Sequence, residues 1–210
     1  MKKLVLAVLA LVLMAGNANA SVVSFDLNYE FSGATAPAGT GPWLTATFDD
    51  GGTAGSVMLT LESHLNDPGG FFGGVYFNLD PTMNAALIGI GSGTDTGWSS
   101  FIRGNDCCQA DGSGRYDLNI NFGANFFGGS DVFHFELTGA NLTADMFNYL
   151  NTPVGGNGTY HVAAHVQGLG PNAAYSGWIG DTTAPVPEPA GILLLAMGLL
   201  GLGVAKRKAA

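Results

Sequence analysis

The densest run of side chains able to do chemistry is Asn105-Asp106-Cys107-Cys108-Gln109-Ala110-Asp111-Gly112-Ser113-Gly114-Arg115-Tyr116-Asp117. Asp106, Asp111, Ser113 and Asp117 offer hard oxygen donors at close spacing, and Gly112 and Gly114 permit tight turns around them. Calcium takes six to eight such oxygens, and an EF-hand loop closes on a bidentate Glu at its twelfth position. Counted from Asp111, that position is Phe122, which excludes an EF-hand. Two readings remain. Either calcium is held in a turn between strands by Asp106, Asp111, Ser113 and Asp117, or the run is a solvated acidic hairpin whose aspartates satisfy turn amides.

Cys107 and Cys108 are adjacent. Neighbouring Cα atoms sit about 3.8 Å apart, below the roughly 4.4–6.8 Å of an ordinary disulfide. Three states are compatible with an oxidising compartment: a vicinal disulfide, bridges to other chains, or two thiols kept apart by the backbone. No His lies near them in sequence, which argues against a catalytic thiol. His161 and His165 are four apart; on a strand they would share a face at roughly 13 Å, too far for one metal. His134, His161 and His165 alternate with apolar residues and are expected on the wet face. The serine motif Gly-x-Ser-x-Gly is absent. Sixteen acids can always supply a carboxylate pair, so their presence is no evidence for a glycosidase. Trp43, Trp98 and Trp178 are candidate platforms for sugar rings, although indoles serve equally well as core. No constellation specific to a reaction emerges, so no catalytic residues are assigned and a non-enzymatic role is expected.

The elements that must position these residues are strands. Val23, Phe25, Leu27, Tyr29 and Phe31 alternate with polar residues, as do Leu44, Ala46 and Phe48. The same alternation recurs at Val57–Leu61, Val75–Leu79, Tyr116–Phe122, Phe133–Leu137 and Tyr160–Val166. Successive strand side chains point to opposite faces, so each run buries one face and wets the other. That pattern belongs to antiparallel sheets with one covered face. Glycine pairs at 51–52, 69–70, 73–74, 128–129 and 155–156, with Pro68, Pro81 and Pro153, supply the reversals. One segment breaks the period: Leu142, Met146 and Leu150 are four apart, with Thr143 placed to cap, which predicts one short helix. The expected fold is all-β, an antiparallel jelly-roll-like β-sandwich with one short helix.

Charge is distributed unevenly. Five of the seven lysines and arginines lie in the two tails, leaving Arg103 and Arg115 against sixteen acids over residues 21–205, a net charge of −14. Such a body cannot neutralise a phosphate backbone, which excludes nucleic acid as a partner. Cations, or anionic polymers bridged by cations, are the charged partners that fit.

Both tails read as targeting segments. Lys2-Lys3 followed by the apolar run Leu4–Ala15 and by Ala18-Asn19-Ala20 has the form of a signal peptide. Its signal helix would be removed by signal peptidase between Ala20 and Ser21. At the other end, Pro185, Pro187 and Pro189 hold an extended segment. Ala190–Ala205 follows without charge, roughly 24 Å as a helix. This C-terminal transmembrane helix falls short of a hydrocarbon core of about 30 Å, and Lys206, Arg207 and Lys208 then stop transfer.

Val186-Pro187-Glu188-Pro189, the apolar helix and the terminal basic cluster together resemble the PEP-CTERM sorting signal of Gram-negative bacteria. The resemblance implies recognition by an exosortase, a membrane protease with transpeptidase-like chemistry. It also implies cargo associated with extracellular polysaccharide, biofilm or floc matrix. Leu44–Asp50, Val75–Pro81 and Ser176–Asp181 are similar to β-sandwich cargo domains that accompany such tails, a likeness that implies a fold and no catalytic residues. The expected organisation is a signal peptide over residues 1–20, a β-sandwich over 21–183 and a sorting signal over 184–210. The expected protein is an exported, non-catalytic surface or matrix component, held transiently at the inner membrane. The alternative is a glycan-active enzyme or a calcium-dependent carbohydrate-binding module.

Overall fold

A computed structural model describes residues 20–181, so both targeting helices expected from sequence lie outside the described residues. The strands are β1 (Val22–Glu30), β2 (Leu44–Asp49), β3 (Ser56–Ser63), β4 (Phe71–Phe77), β5 (Gly89–Ile90) and β6 (Trp98–Ala110). They continue as β7 (Gly114–Phe122), β8 (Val132–Thr138), β9 (Thr152–Pro153), β10 (Val162–Leu169) and β11 (Tyr175–Asp181). All join one antiparallel sheet of eleven strands, in the order β5-β8-β3-β2-β1-β11-β10-β4-β7-β6, with β9 added beside β7. The all-β antiparallel expectation holds, in the form of one continuously hydrogen-bonded sheet.

The sheet rolls over on itself because its larger apolar face needs a partner, while a smaller buried cluster of Phe31, Ala110, Tyr116, Tyr160 and Ala163 forms apart from that core. Phe48 on β2 meets Phe77 on β4, with ring centroids 5.6 Å apart. Trp98 on β6 meets Phe135 on β8 at 5.6 Å, and Phe122 on β7 meets Phe133 on β8 at 5.1 Å. None of these pairs is adjacent in the strand order, so the two halves face each other across one core. The alternating residues named above fill it: Phe25, Leu27, Leu59, Leu61, Val75, Ile120, Leu137 and Val166 are all buried.

The segment expected to be a short helix winds only as a 3-10 turn at Ala144–Phe147, and Thr143 makes no capping bond. Asp50 supplies the cap from across the chain, its Oδ2 accepting from Ala144 N at 3.2 Å. Phe147 stacks on Phe48 at 4.3 Å, while Leu150 is left exposed. Burying Phe147 against the sheet therefore wins over extending the helix.

At the β8 side, carboxylates pin the loop that follows β5. Glu136 Oε2 accepts from Gly93 N at 2.6 Å and Oε1 from Ser56 Oγ at 2.8 Å. Asp95 Oδ2 accepts from His134 N at 2.8 Å. The Gly93 amide holds the Glu136 carboxyl below its usual value, helped by Ser56, and the His134 amide does the same for Asp95.

Two predictions follow from this packing. Phe48→Ala removes a fully buried ring and costs about 3–5 kcal/mol, read by urea denaturation. Because the Glu136 and Asp95 carboxyls have depressed folded values, their stabilisation is complete above the ordinary carboxylate range of about 3.9–4.3. It is lost as pH falls through the folded values. The hydrogen-exchange protection factors of residues 91–96, referred to intrinsic rates, are therefore expected to fall below about pH 4, and Glu136→Gln lowers them at neutral pH.

Candidate functional site

The chemistry-rich run falls on the hairpin of β6 and β7, at the edge of the sheet. Pairing passes from Arg103↔Leu118 to Cys108↔Tyr116, so five steps along β6 match two along β7 and the excess bulges outward. The bulge carries Asp106, with φ +54°, and Cys107, and pairing resumes at Cys108. Cys107 and Cys108 form a vicinal disulfide with Cα atoms 3.7 Å apart, which selects one of the three states left open by the sequence. Cys107 is exposed and Cys108 buried. A disulfide sulfur has no proton to donate, so Cys107 Sγ at 3.2 Å from the Asp117 carbonyl oxygen is a packing contact.

The four oxygen donors expected around calcium are divided. Asp117 is shared between two main-chain amides, Asp106 N at 2.8 Å and Leu79 N at 3.0 Å. Ser113 is fully buried, its Oγ turned to Ala110 O and the Tyr116 hydroxyl. Asp111 lies at the exposed hairpin tip, where its charge opposes the burial that lowers the His165 imidazole. Among the described residues, no group of three or more His, Cys, Asp or Glu is placed to hold a metal. Asp106 and Asp117 stay together beside a cavity of about 250 Å³ that Asn78, Asn105 and Tyr149 also line. Asn78 is buried there with its Nδ2 unpartnered.

The three tryptophans take three different positions. Trp43 is buried in the core. Trp98 is half-buried against the same core. Trp178 lies on the opposite, outer face of the sheet, where a row runs across five strands. It is directly opposite His165, which is opposite Gly74, then Asn121, then Ser100. The Trp178 and His165 rings stack at 4.6 Å, and Tyr76 in the next row lies 5.3 Å from Trp178. Asn121 Nδ2 donates to Ser100 Oγ at 3.0 Å and to Asn119 Oδ1 at 2.6 Å. Gly74 is what lets these groups close up: a Cβ there would meet Asn121 Oδ1 at 3.0 Å, Asn119 Nδ2 at 3.1 Å and the Tyr76 ring at 3.2 Å. The result is a half-buried strip of aromatic faces beside carboxamides, a surface able to stack on a ring and hydrogen-bond its hydroxyls.

The histidines correct one expectation. His134 is exposed and paired with Asp95 at 3.1 Å, but His161 is buried rather than wet. Its Nδ1 lies 2.7 Å from Asp181 Oδ2, and its ring stacks on Phe25 at 4.8 Å. Asp181 Oδ1 also accepts from His161 N and Val162 N. His161 directly precedes β10, outside the strict alternation, and the buried aspartate on β11 supplies the partner that lets it leave water. No serine, threonine or cysteine hydroxyl or thiol is bonded to this pair among the described residues, which suits a structural clasp.

Val186, Pro187, Glu188 and Pro189, with Lys206, Arg207 and Lys208, lie outside the described residues. Residues 185–208 match the family model of the PEP-CTERM protein-sorting motif. The chain therefore carries an exosortase-type sorting signal near its C-terminus. No curated protein and no solved structure gives a significant match.

Proposed function

From the sorting motif at residues 185–208 we propose an exported, non-catalytic component of the cell surface or extracellular matrix, delivered by an exosortase-type system. In this reading signal peptidase removes residues 1–20. The helix over residues 190–205 holds the chain briefly in the inner membrane, and Lys206, Arg207 and Lys208 mark its cytoplasmic end. Glu188, fixed between Pro187 and Pro189, is the group the sorting enzyme reads. The delivered part is the rolled sheet, which we take as a jelly-roll-like sandwich on the strength of its cross-core aromatic contacts. Its partner is extracellular polysaccharide, bound on the outer face at Trp178, His165 and Tyr76. Trp178 carries this part, since it is the one tryptophan stacked on that face. Calcium acts in this reading through the Asp106 and Asp117 carboxylates, the two candidate ligands that line one cavity.

Two experiments test the two halves separately. Replacing Pro187, Glu188 and Pro189 together with alanine is expected to leave the protein in the inner-membrane fraction; normal arrival in the matrix would remove the sorting reading. The purified protein is expected to be retained on matrix polysaccharide, and Trp178→Ala to weaken retention about 10-fold or more, in line with about 1.4 kcal/mol per tenfold. The measurement is made with calcium and with chelator. Release of reducing ends, abolished by one acid-to-amide change, would show a glycan-active enzyme instead.

A further inference from the structure

Asp50 is a buried carboxylate, only 7% exposed, with no cation paired to it among the described residues. The two arginines of this region are engaged elsewhere: Arg103 donates to Ile88 O, and Arg115 to Asp106 O. Burying a charge without a counter-charge is costly unless dipoles or an ion replace water. Dipoles do part of this. Asp50 Oδ1 accepts from Ser21 N and Gly52 N, both at 2.9 Å, and Oδ2 accepts from Ala144 N. Burial pushes the Asp50 carboxyl up, but these three amides outweigh it and hold the group below its usual value, so it stays charged.

One of the three donors has an unusual place in the chain. Ser21 N belongs to the peptide bond read above as the signal-peptidase junction. Ser21 is also gripped through its other groups. Its carbonyl accepts from Asp50 N at 3.2 Å, and its Oγ donates to Asp145 Oδ1 at 2.7 Å. Two carboxylates, from the β2–β3 turn and from the 3-10 turn at Ala144–Phe147, thus converge on the residue that hydrolysis would make the first of the mature chain. The neighbouring Asp49 spends its Oδ1 on Gly51 N.

We propose that Asp50 and Asp145 form a receptor for the α-ammonium group released at Ser21 when the chain is cut after Ala20. Water adds across the peptide bond: Ala20 leaves as a carboxylate, and the Ser21 nitrogen becomes an ammonium. A neutral amide already 2.9 Å from a buried carboxylate is thereby replaced by its missing counter-ion, at a position the fold has already fixed. Processing then locks the start of β1 to two turns, and the mature fold is more stable than its precursor. The inference rests on the reading of Ala20–Ser21 as the junction.

The test compares three forms of the chain Ser21–Ala210 in detergent: with a free amine, with one glycine added before Ser21, and with the amine acetylated. The free-amine form is expected to melt highest. Its α-amine is expected to titrate at least one unit above the ordinary range of about 7.7–8.0, giving acetylation about 10-fold slower at neutral pH. Because this amine has a raised folded value, its contribution is full below that ordinary range and is lost as pH rises through the folded value. Asp50→Asn is expected to abolish these differences. Exposed Asp145→Asn, which leaves the buried carboxylate in place, is expected to reduce them. Equal melting of the three forms with an ordinary amine titration would overturn the receptor. Mass spectrometry of the exported protein separates the premise: a mature start other than Ser21 overturns the junction reading, whatever the amine does.

Discussion

A sheet of eleven strands whose larger apolar face carries most of the buried side chains has nothing large enough to bury that face against except itself. Everything else in the molecule follows from that closure. β2 must reach β4 and β6 must reach β8, so the aromatic pairs Phe48–Phe77 and Trp98–Phe135 set the curvature. The fold has no long helix among its described residues to cover the sheet, and the 3-10 turn at Ala144–Phe147 serves as a plug, seating Phe147 on Phe48. The outer face carries a second, smaller buried cluster of Phe31, Ala110, Tyr116, Tyr160 and Ala163, with Tyr76 and Trp178 half-buried against it. That is why an aromatic and carboxamide strip can exist there at all.

Acidic residues serve this architecture as fasteners. Asp50, Asp117 and Asp181 each accept two or more main-chain amides from distant segments. A carboxylate accepting several amide bonds is stabilised in its charged form, so an acidic body whose only basic side chains besides histidine among the described residues are Arg103 and Arg115 can still bury negative groups. The same habit explains why the four calcium-like donors are not all brought to one point. Asp117 spends both oxygens on amides that hold the β6 bulge and the end of β4, while Ser113 turns inward.

Legibility in the sequence followed apolar contrast. β1, β2, β3, β4, β7, β8 and β10 stood out because each carries a run of alternating apolar residues in the sequence, even where the fold buries both faces, as it does along β10. β6 did not, because an edge strand covered on neither side along much of its length carries Ser99, Arg103, Asn105 and Asp106, with no period to detect. β5 and β9 have two residues each, too few for any pattern. The expected helix shortened to one turn because its amide cap and its aromatic contact come from β2, far away in sequence. At the candidate site, the tryptophans were visible as types only. Trp43 and Trp178 sit in comparable sequence settings, yet one is buried in the main core and the other is half-buried against the smaller cluster on the outer face.

By itself the sequence determined the all-β class, the acidic body and the C-terminal sorting motif, because composition, two-residue alternation and a linear signal are local properties. Only the tertiary structure decided which side chains meet. It joined Cys107 to Cys108, sank His161 beside Asp181, aligned Trp178 with His165 across two strands, and brought Ser21 to Asp50 and Asp145. Except for the cysteine pair, each is a contact between segments well separated along the chain, fixed by strand register and by the closure of the sheet. No local pattern encodes such a pairing, since its partner's position depends on how the whole sheet rolls.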